Sequence, residues 1–504
     1  MVGLGLGRVH RNIAANFAGG VVTMGAFVIV VPIYLRLLGA EAYGLVGIFT
    51  TLAVAATAFD LGLSHTLNRE MARMASEGEP EAGLPDVAVT LQACCWALAL
   101  AMGMLVVAGA GAIAAHWVNV ERLARRDVAV AIVLMGVALP AVVARAFYLA
   151  GLNGLQRQPT VNAVQVAATL GRAGLSVAAL HLIAPTATVF FTVQAALLYA
   201  EATALAVAMW RAVPAGARRG RVRLRVVRAR VGFSAGVAVT MILGLVLTAI
   251  DQVVLSRILP LAEFGYYMVA LGAAGALGHI VLPVTTAMYP RFSELVARSE
   301  RAALSAEYHF SAQLVAVLVL PLGAVLAVFP GEVLTLWTGN GDVARHGAAV
   351  LALRVVGTML NTMMHVPHVL QLAFGWSSLG AWANAIALLV VAPATVLLAL
   401  RYGAVGAAAV WIGLNLGSML FAMRRMHQRV LPGELAEWYR TWAAPALAAA
   451  AVALASRAVM PEALDGARGV AWLALTWLAT AAAGIATAGR VRRRLRGGRR
   501  AGAR

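Results

Sequence analysis

Long apolar stretches broken by short polar ones recur from residue 13 almost to residue 490. A bilayer core about 30 Å thick is crossed by a helix of roughly 20 apolar residues. Stretches of that kind fall at 13–35, 43–63, 88–115, 128–150, 161–183, 187–210, 231–255, 263–288, 309–330, 347–370, 378–400, 403–423, 443–459 and 470–489. Ala, Leu and Val dominate them, and the two-residue alternation of a barrel strand is missing, so their backbone N–H and C=O groups must be satisfied within helices. The pattern predicts an all-α integral membrane protein of about 14 transmembrane helices. The first stretch follows Arg8 and Arg11, runs longer than a secretory apolar core and precedes no obvious small-residue cleavage site. It is expected to remain as an uncleaved anchor.

The pattern also repeats. Arg36-Leu-Leu, four residues and Tyr43-Gly44 close the first hairpin; Arg257-Ile-Leu, four residues and Phe264-Gly265 close that of the seventh and eighth stretches. Six stretches separate the two, so both units enter the membrane in the same orientation, as parallel repeats do in transporters. The expected organisation is an N-lobe of six helices (1–210), a basic linker (211–230), a C-lobe of six helices (231–425) in pseudo-twofold relation to the first, two additional helices (426–489) and a basic tail (490–504).

Composition agrees with this solvent: 62% of residues are hydrophobic and 12% charged, with a mean hydropathy of +0.83, outside the range of soluble domains. Charge adds orientation. All 40 basic residues are arginine; with the N-terminus inside, 28 lie in inner loops and tails, 9 in outer loops and three within spans. Positive charge is retained on the cytoplasmic side, so both termini are expected there. The clusters Arg211–Arg230 and Arg490–Arg504 suit anionic headgroups, so the net +19 reads as topology and not as a nucleic-acid footprint.

Several chemistries are disfavoured. Without lysine there is no phosphate-binding Walker lysine and no Schiff base. The outer loops, the longest about Ala115–Asp127 and Met460–Gly469, carry no D-x-D pair of the kind expected in a glycosyltransferase or polymerase. No cofactor is implied, and the expected class is not an enzyme. His365 and His368 share a helix face with no carboxylate or cysteine near them in sequence, so hydrogen-bonded packing is preferred to metal ligation. Adjacent Cys94 and Cys95 cannot form an ordinary disulfide and read as small apolar residues.

Buried charge is more informative, because an ionisable group at the bilayer centre costs about 2.5–3.5 kcal/mol on insertion scales. Arg172 lies roughly 16 Å, and Glu201 roughly 14 Å, from the cytoplasmic ends of adjacent antiparallel spans at 1.5 Å per residue. They are expected to meet near the midplane, either as a closed salt bridge fastening the hairpin or as an arginine in a wet cavity, with Glu201 competing for it or accepting a coupling proton. Arg354 is the corresponding candidate in the second lobe. Arg145 and Asp60 are within snorkelling distance of the cytoplasmic interface, and Asp251 is placed to pair with Arg257. Pro32, Pro140, Pro283, Pro321, Pro367, Pro393 and Pro445 fall in or beside spans, where each can bend its helix.

Several stretches carry a family resemblance: Asn16 with Gly19–Gly20, VPIYLRLLGAEAYG (31–44), FDLGLSHTLNREMA (59–72), DQVVLSRIL (251–259), LPVTTAMYPRFSEL (282–295) and YGAVGAAAVWIGLN (402–415). They resemble the polysaccharide transporter family of O-antigen and oligosaccharide-lipid flippases. That family belongs to the multidrug/oligosaccharidyl-lipid/polysaccharide exporter superfamily, with the lipid II flippases and multidrug extruders. The resemblance implies a V-shaped two-lobe fold, a cationic central cavity and movement of an undecaprenyl-pyrophosphate-linked sugar from the cytoplasmic to the periplasmic leaflet. Arg36, Asp60 and Arg69 match its first-hairpin pattern, with Arg69 at the cytoplasmic mouth. Polysaccharide polymerase and chain-length regulators are the implied partners besides the lipid-linked oligosaccharide and anionic lipids. The alternatives are an H⁺- or Na⁺-coupled multidrug exporter, a lipid II-type flippase and a non-transporting scaffold of a polysaccharide assembly complex.

Overall fold

The computed structural model describes residues 3–58, 60, 62–77, 84–213, 220–376, 378–461 and 466–494. Part of the basic linker (214–219) and most of the basic tail (495–504) lie outside the described residues. Regular structure among those described is helical, apart from one isolated bridge between Asn119 and Pro260. The helices are α1 (Gly3–Ala58), α2 (Leu63–Glu77), α3 (Leu84–Ala112), α4 (Arg125–Gly154), α5 (Gln158–Leu182), α6 (Ala187–Ala212), α7 (Leu224–Ile258) and α8 (Leu261–Ala297). They continue as α9 (Arg301–Val328), α10 (Pro330–Thr338), α11 (Gly341–Met363), α12 (His365–Ala373), α13 (Ser378–Val430), α14 (Leu435–Ala458) and α15 (Gly466–Thr487).

Eleven helices among the described residues are long and apolar enough to cross a membrane. α1 and α13 each hold two of the expected spans, 13–35 and most of 43–63 in α1, and 378–400 and 403–423 in α13. Each of these helices breaks at a glycine, Gly39 (φ 80°, ψ 165°) and Gly403 (φ 60°, ψ −140°). Positive φ strains any residue with a Cβ, so the break falls where glycine stands. The expected stretch 443–459 lies in α14, whose first turn carries Glu437.

The chain divides into two compact units, Met1–Gly265 and Tyr266–Arg504. In the first, α4 is the axis: α3 and α6 pack along it, α2 crosses its C-terminal half, and α5 packs on α6 and α1. The core there comprises Leu67, Met71, Leu91, Cys95, Val143, Phe147, Leu152, Leu205 and Met209. In the second unit α9 is the axis, packed by α11, α14 and α15, while α11 also packs on α13. Small residues bring α9 and α14 together at Ala324, Ala449 and Ala453, as interhelical packing in lipid requires. Large side chains such as Leu389, Leu397, Phe421 and Leu447 point outward, exposed to the surroundings. A protein dissolved in water could not present so much contiguous apolar surface. This is an integral, multi-pass membrane protein.

The two repeated hairpin patterns meet inside the first unit. A Cβ on Gly44 would collide with the Leu261 carbonyl oxygen, and one on Gly265 with the Ala40 carbonyl oxygen. The glycine common to both patterns is therefore the residue that lets α1 and the start of α8 touch backbone to backbone. A strap holds the contact. Both oxygens of buried Glu41 accept backbone N–H groups of residues 121–123 at 2.7–3.2 Å. Asn119 Nδ2 donates to the Arg257 and Ile258 carbonyls that end α7, and the Asn119 carbonyl accepts the Leu261 N–H at 2.9 Å.

Gly44→Ala should overpack this contact and destabilise the protein by about 1–3 kcal/mol, seen as a lower melting midpoint of purified protein. Gly25→Ala, where a Cβ meets nothing within 4 Å, should leave the midpoint unchanged or slightly higher, and equal behaviour of the two variants would refute the backbone contact.

Candidate functional site

Three helices of the first unit converge on one carboxylate. Glu201 is in the middle of α6, Arg145 nine residues before the end of α4, and Arg172 fourteen residues into α5. Arg145 Nε donates to Glu201 Oε1 at 2.7 Å, and Arg172 Nη1 donates to Glu201 Oε2. The Glu201 side chain is sealed at 0% exposure, while those of Arg145 and Arg172 remain 27% and 19% exposed.

The electrostatics follow from this count. A charged carboxylate alone in apolar surroundings is prohibitively costly, but here two guanidiniums, one on each oxygen, compensate it. The cluster then carries one net positive charge. A guanidinium has five N–H donors and the carboxylate takes one from each, so the accessible side of the cluster is cationic and its acid lies behind. Such a face suits a phosphate or carboxylate, which planar guanidiniums can bind in bidentate fashion.

Neighbours tie α1 and α6 to α5 beside the cluster. The Tyr34 hydroxyl donates to the Arg172 carbonyl at 3.4 Å, and its ring meets Phe190 edge-on at 5.0 Å. Gln194 Nε2 donates to buried Ser176 Oγ at 3.4 Å, one turn beyond Arg172 on α5.

The expected meeting of Arg172 and Glu201 is what the structure contains. Arg145, expected to snorkel to the interface, instead completes the cluster, because α4 packs along α6 although α5 lies between them in sequence. Tyr34 has no mark in the sequence; a lone tyrosine in an apolar stretch carries no signal of a partner 138 residues away.

The remaining candidates are dispersed. Arg354 is buried at 5% exposure, its guanidinium 5.0 Å from the Trp411 ring centroid, a packed arrangement between α11 and α13. Arg36 and Arg69 are exposed. Asp60 is buried as the N-cap of α2: its Oδ1 accepts the Gly62 N–H at 2.8 Å and its Oδ2 the Ser64 N–H at 3.1 Å, the usual work of an aspartate there. Asp251 is buried on α7 and accepts the Gln252 N–H at 2.9 Å, while Arg257, six residues on, is exposed. His365 Nε2 pairs with Asn361 Oδ1 at 3.2 Å, and Asn361 in turn donates to Asn415 Oδ1 at 2.8 Å, the polar helix packing anticipated for this stretch.

A family model described as "Polysaccharide biosynthesis protein" matches residues 9–296. Among solved structures, the chain is similar to the inward closed conformation of lipid II flippase MurJ, at 11% identity over 96% of this chain and 98% of that one, with a TM-score of 0.72. It is similar to an inward-facing multidrug resistance MATE family transporter of the MOP superfamily, at 12% identity over 81% of this chain and 98% of that one, with a TM-score of 0.62. A MOP superfamily transporter from Pyrococcus furiosus matches at 13% identity over 84% of this chain and 96% of that one, with a TM-score of 0.58. At such identities the likeness is one of fold. No curated protein sequence matches the chain significantly.

Glu201→Ala would leave two cations facing each other in apolar surroundings and should destabilise the protein by about 3–5 kcal/mol. Arg172→Ala leaves Glu201 paired with Arg145 and should cost less. Melting midpoints of the two variants in one detergent test this order; the reverse order would rule out a carboxylate shared by both arginines.

Proposed function

The chain belongs to the polysaccharide biosynthesis protein family, and from that premise we propose that it flips a polyprenyl-pyrophosphate-linked oligosaccharide, an O-antigen or exopolysaccharide repeat unit, from the cytoplasmic to the periplasmic leaflet of a bacterial inner membrane. Its family and fold are those of transporters and flippases, and flipping needs no bond to be made or broken. The reading rests on one observation: a net-positive cluster deep in a membrane helix bundle, with its two arginines part-open and its carboxylate sealed behind them.

A pyrophosphate bears negative charge that hydrocarbon does not solvate. Arg145 and Arg172 replace part of its hydration with charge-assisted hydrogen bonds, while the polyprenyl tail stays in lipid. Alternating access by movement of helix bundles would present the headgroup to the far side. The basic tail and linker hold the cytoplasmic face against anionic lipids, with both termini inside. A cationic drug is the wrong cargo for this cluster, since it would meet like charge in a low-dielectric setting.

In liposomes carrying a fluorescent polyprenyl-pyrophosphate-linked sugar, Arg172→Ala and Arg145→Ala should each slow translocation at least about tenfold, the loss of one charge-assisted hydrogen bond of about 1.5–3 kcal/mol. Membrane insertion should be normal. Wild-type rates in both variants would remove the cluster from the substrate path, and export of a cationic dye in the same liposomes would favour a drug carrier instead.

A further inference from the structure

A second buried polar cluster lies in the second unit, where the start of α9, the α13–α14 turn, the start of α14 and the segment after α15 come together. His309 on α9 is buried at 2% side-chain exposure, and its Nε2 lies 3.0 Å from Glu434 Oε2, whose side chain is 24% exposed. Ser305 Oγ donates to the same carboxylate oxygen at 2.6 Å. On the other edge of the ring, His309 Nδ1 is 3.3 Å from Thr441 Oγ1.

Hydrogen-bond accounting decides where the protons are. The Thr441 hydroxyl has one hydrogen and donates it to the Glu437 carbonyl at 2.8 Å. The 2.8 Å contact to the carbonyl, against 3.3 Å to the ring, assigns the hydroxyl hydrogen to the carbonyl, so Thr441 Oγ1 accepts from the imidazole and Nδ1 carries a hydrogen. That leaves Nε2 facing Glu434 Oε2. With Nε2 bare and Glu434 ionised, two lone pairs would confront each other at hydrogen-bonding distance. With Nδ1–H so assigned, the contact calls for a further proton, on nitrogen or on oxygen. His427 on α13 is the contrast: its Nδ1 lies 2.8 Å from the Met423 carbonyl and so carries its hydrogen, while bare Nε2 accepts the Tyr308 hydroxyl at 2.9 Å. His427 is satisfied as a neutral ring; His309 is not.

We propose that His309 and Glu434 form a binding site for one proton, separate from the arginine cluster, whose occupancy holds α14 against α9. The surroundings agree with a site that is neutral when loaded. Glu437 on α14 is bound by Arg490 Nη2 at 2.7 Å, which holds its carboxyl below the usual range, chiefly through that hydrogen bond, so Glu437 is ionised and does not supply the proton. Arg440 on α14 is its other cationic neighbour. Glu307 on α9 is taken by Arg494 at 2.9 Å. On α12, which also packs on α9, His365 faces Asn361 and His368 faces Gly380. The site also communicates with the C-terminal segment, since Gln313, one turn along α9 from His309, accepts the backbone N–H groups of Arg490 and Val491 at 2.8 and 3.2 Å. When the proton leaves, the part-exposed Glu434 must turn away, and the turn that starts α14 goes with it.

The test uses the full chain in lipid nanodiscs with ¹⁵N-labelled histidine, assigned with His309→Gln, and infrared spectra compared with Glu434→Gln. Near neutral pH the expected result is a His309 ring with both nitrogens protonated, or a protonated-carboxyl band that Glu434→Gln removes, while His427 keeps its neutral Nδ1–H form. The amide introduced by Glu434→Gln can donate an N–H to a bare Nε2, so that variant should keep the α9–α14 contact without needing the proton. Because the folded state binds this proton, wild-type stability should fall as pH rises through its release, by several degrees in melting midpoint, and Glu434→Gln should be flat over the same range. A neutral His309 beside an ionised Glu434 at neutral pH, with its hydrogen on either ring nitrogen, or the same pH dependence of melting in both proteins, would overturn the site.

Discussion

Charge that enters a lipid-embedded helix bundle must be neutralised by the protein itself, and the Arg145–Glu201–Arg172 cluster is how this chain meets that constraint. Two cations alone would repel, and one carboxylate alone would have no compensating charge. Three groups on three helices are stable together because each oxygen of Glu201 is occupied by a different arginine. The cluster therefore dictates packing as well as charge: α4, α5 and α6 must stay within hydrogen-bonding reach of one another, with Tyr34 of α1 bracing Arg172 from the side. Stability alone does not require it, since buried ion networks are often no more stable than well-packed hydrophobic substitutes. In the function proposed above, the leftover positive charge is what the cluster offers beyond packing.

The other end of the first unit is ordered by backbone instead of side-chain charge. Gly44 and Gly265 let two helices meet at their carbonyls, and Glu41 satisfies three consecutive N–H groups of the 121–123 loop that would otherwise be orphaned. Unpaired backbone polar groups are costly near hydrocarbon, so this strap and the glycine contact are parts of one solution. A unit closed by directional hydrogen bonds at one end and holding a charged cluster within its bundle keeps its backbone closure and its buried charge in different places.

Much of the fold was legible because hydrophobicity is read residue by residue: helix, membrane and approximate span positions follow from runs of Ala, Leu and Val. The joins were less so. The expected spans already break between 35 and 43 and between 400 and 403, but that the turns fall at Gly39 and Gly403 depends on local φ and ψ, which composition does not report. The Arg172–Glu201 pair was accessible because its helices are consecutive and antiparallel, so depth could be compared directly. Arg145 was not, since the packing of α4 along α6 is a tertiary choice with no periodic signature. Asp60, expected within snorkelling distance of the interface, is instead buried, with its two oxygens accepting N–H groups that open α2, a local arrangement that depth along a span does not report.

The two buried polar clusters differ in how each answers a change in its surroundings. The arginine cluster keeps a net charge whatever small shifts its helices make, because guanidinium does not lose its proton in proteins; its response to a ligand is to exchange partners. The His309–Glu434 pair has no net charge when loaded, and its response is to gain or lose a proton. A carrier that moves an anion needs the first kind of group where the anion passes, since a site that neutralised itself would release its hold. A group that reports or uses pH must be of the second kind, and must lie where its unloading breaks a contact between helices. The second unit places that pair at the α9–α14 junction, beside the segment that follows α15, so under the proposal made for it the loss of its proton would alter helix packing there.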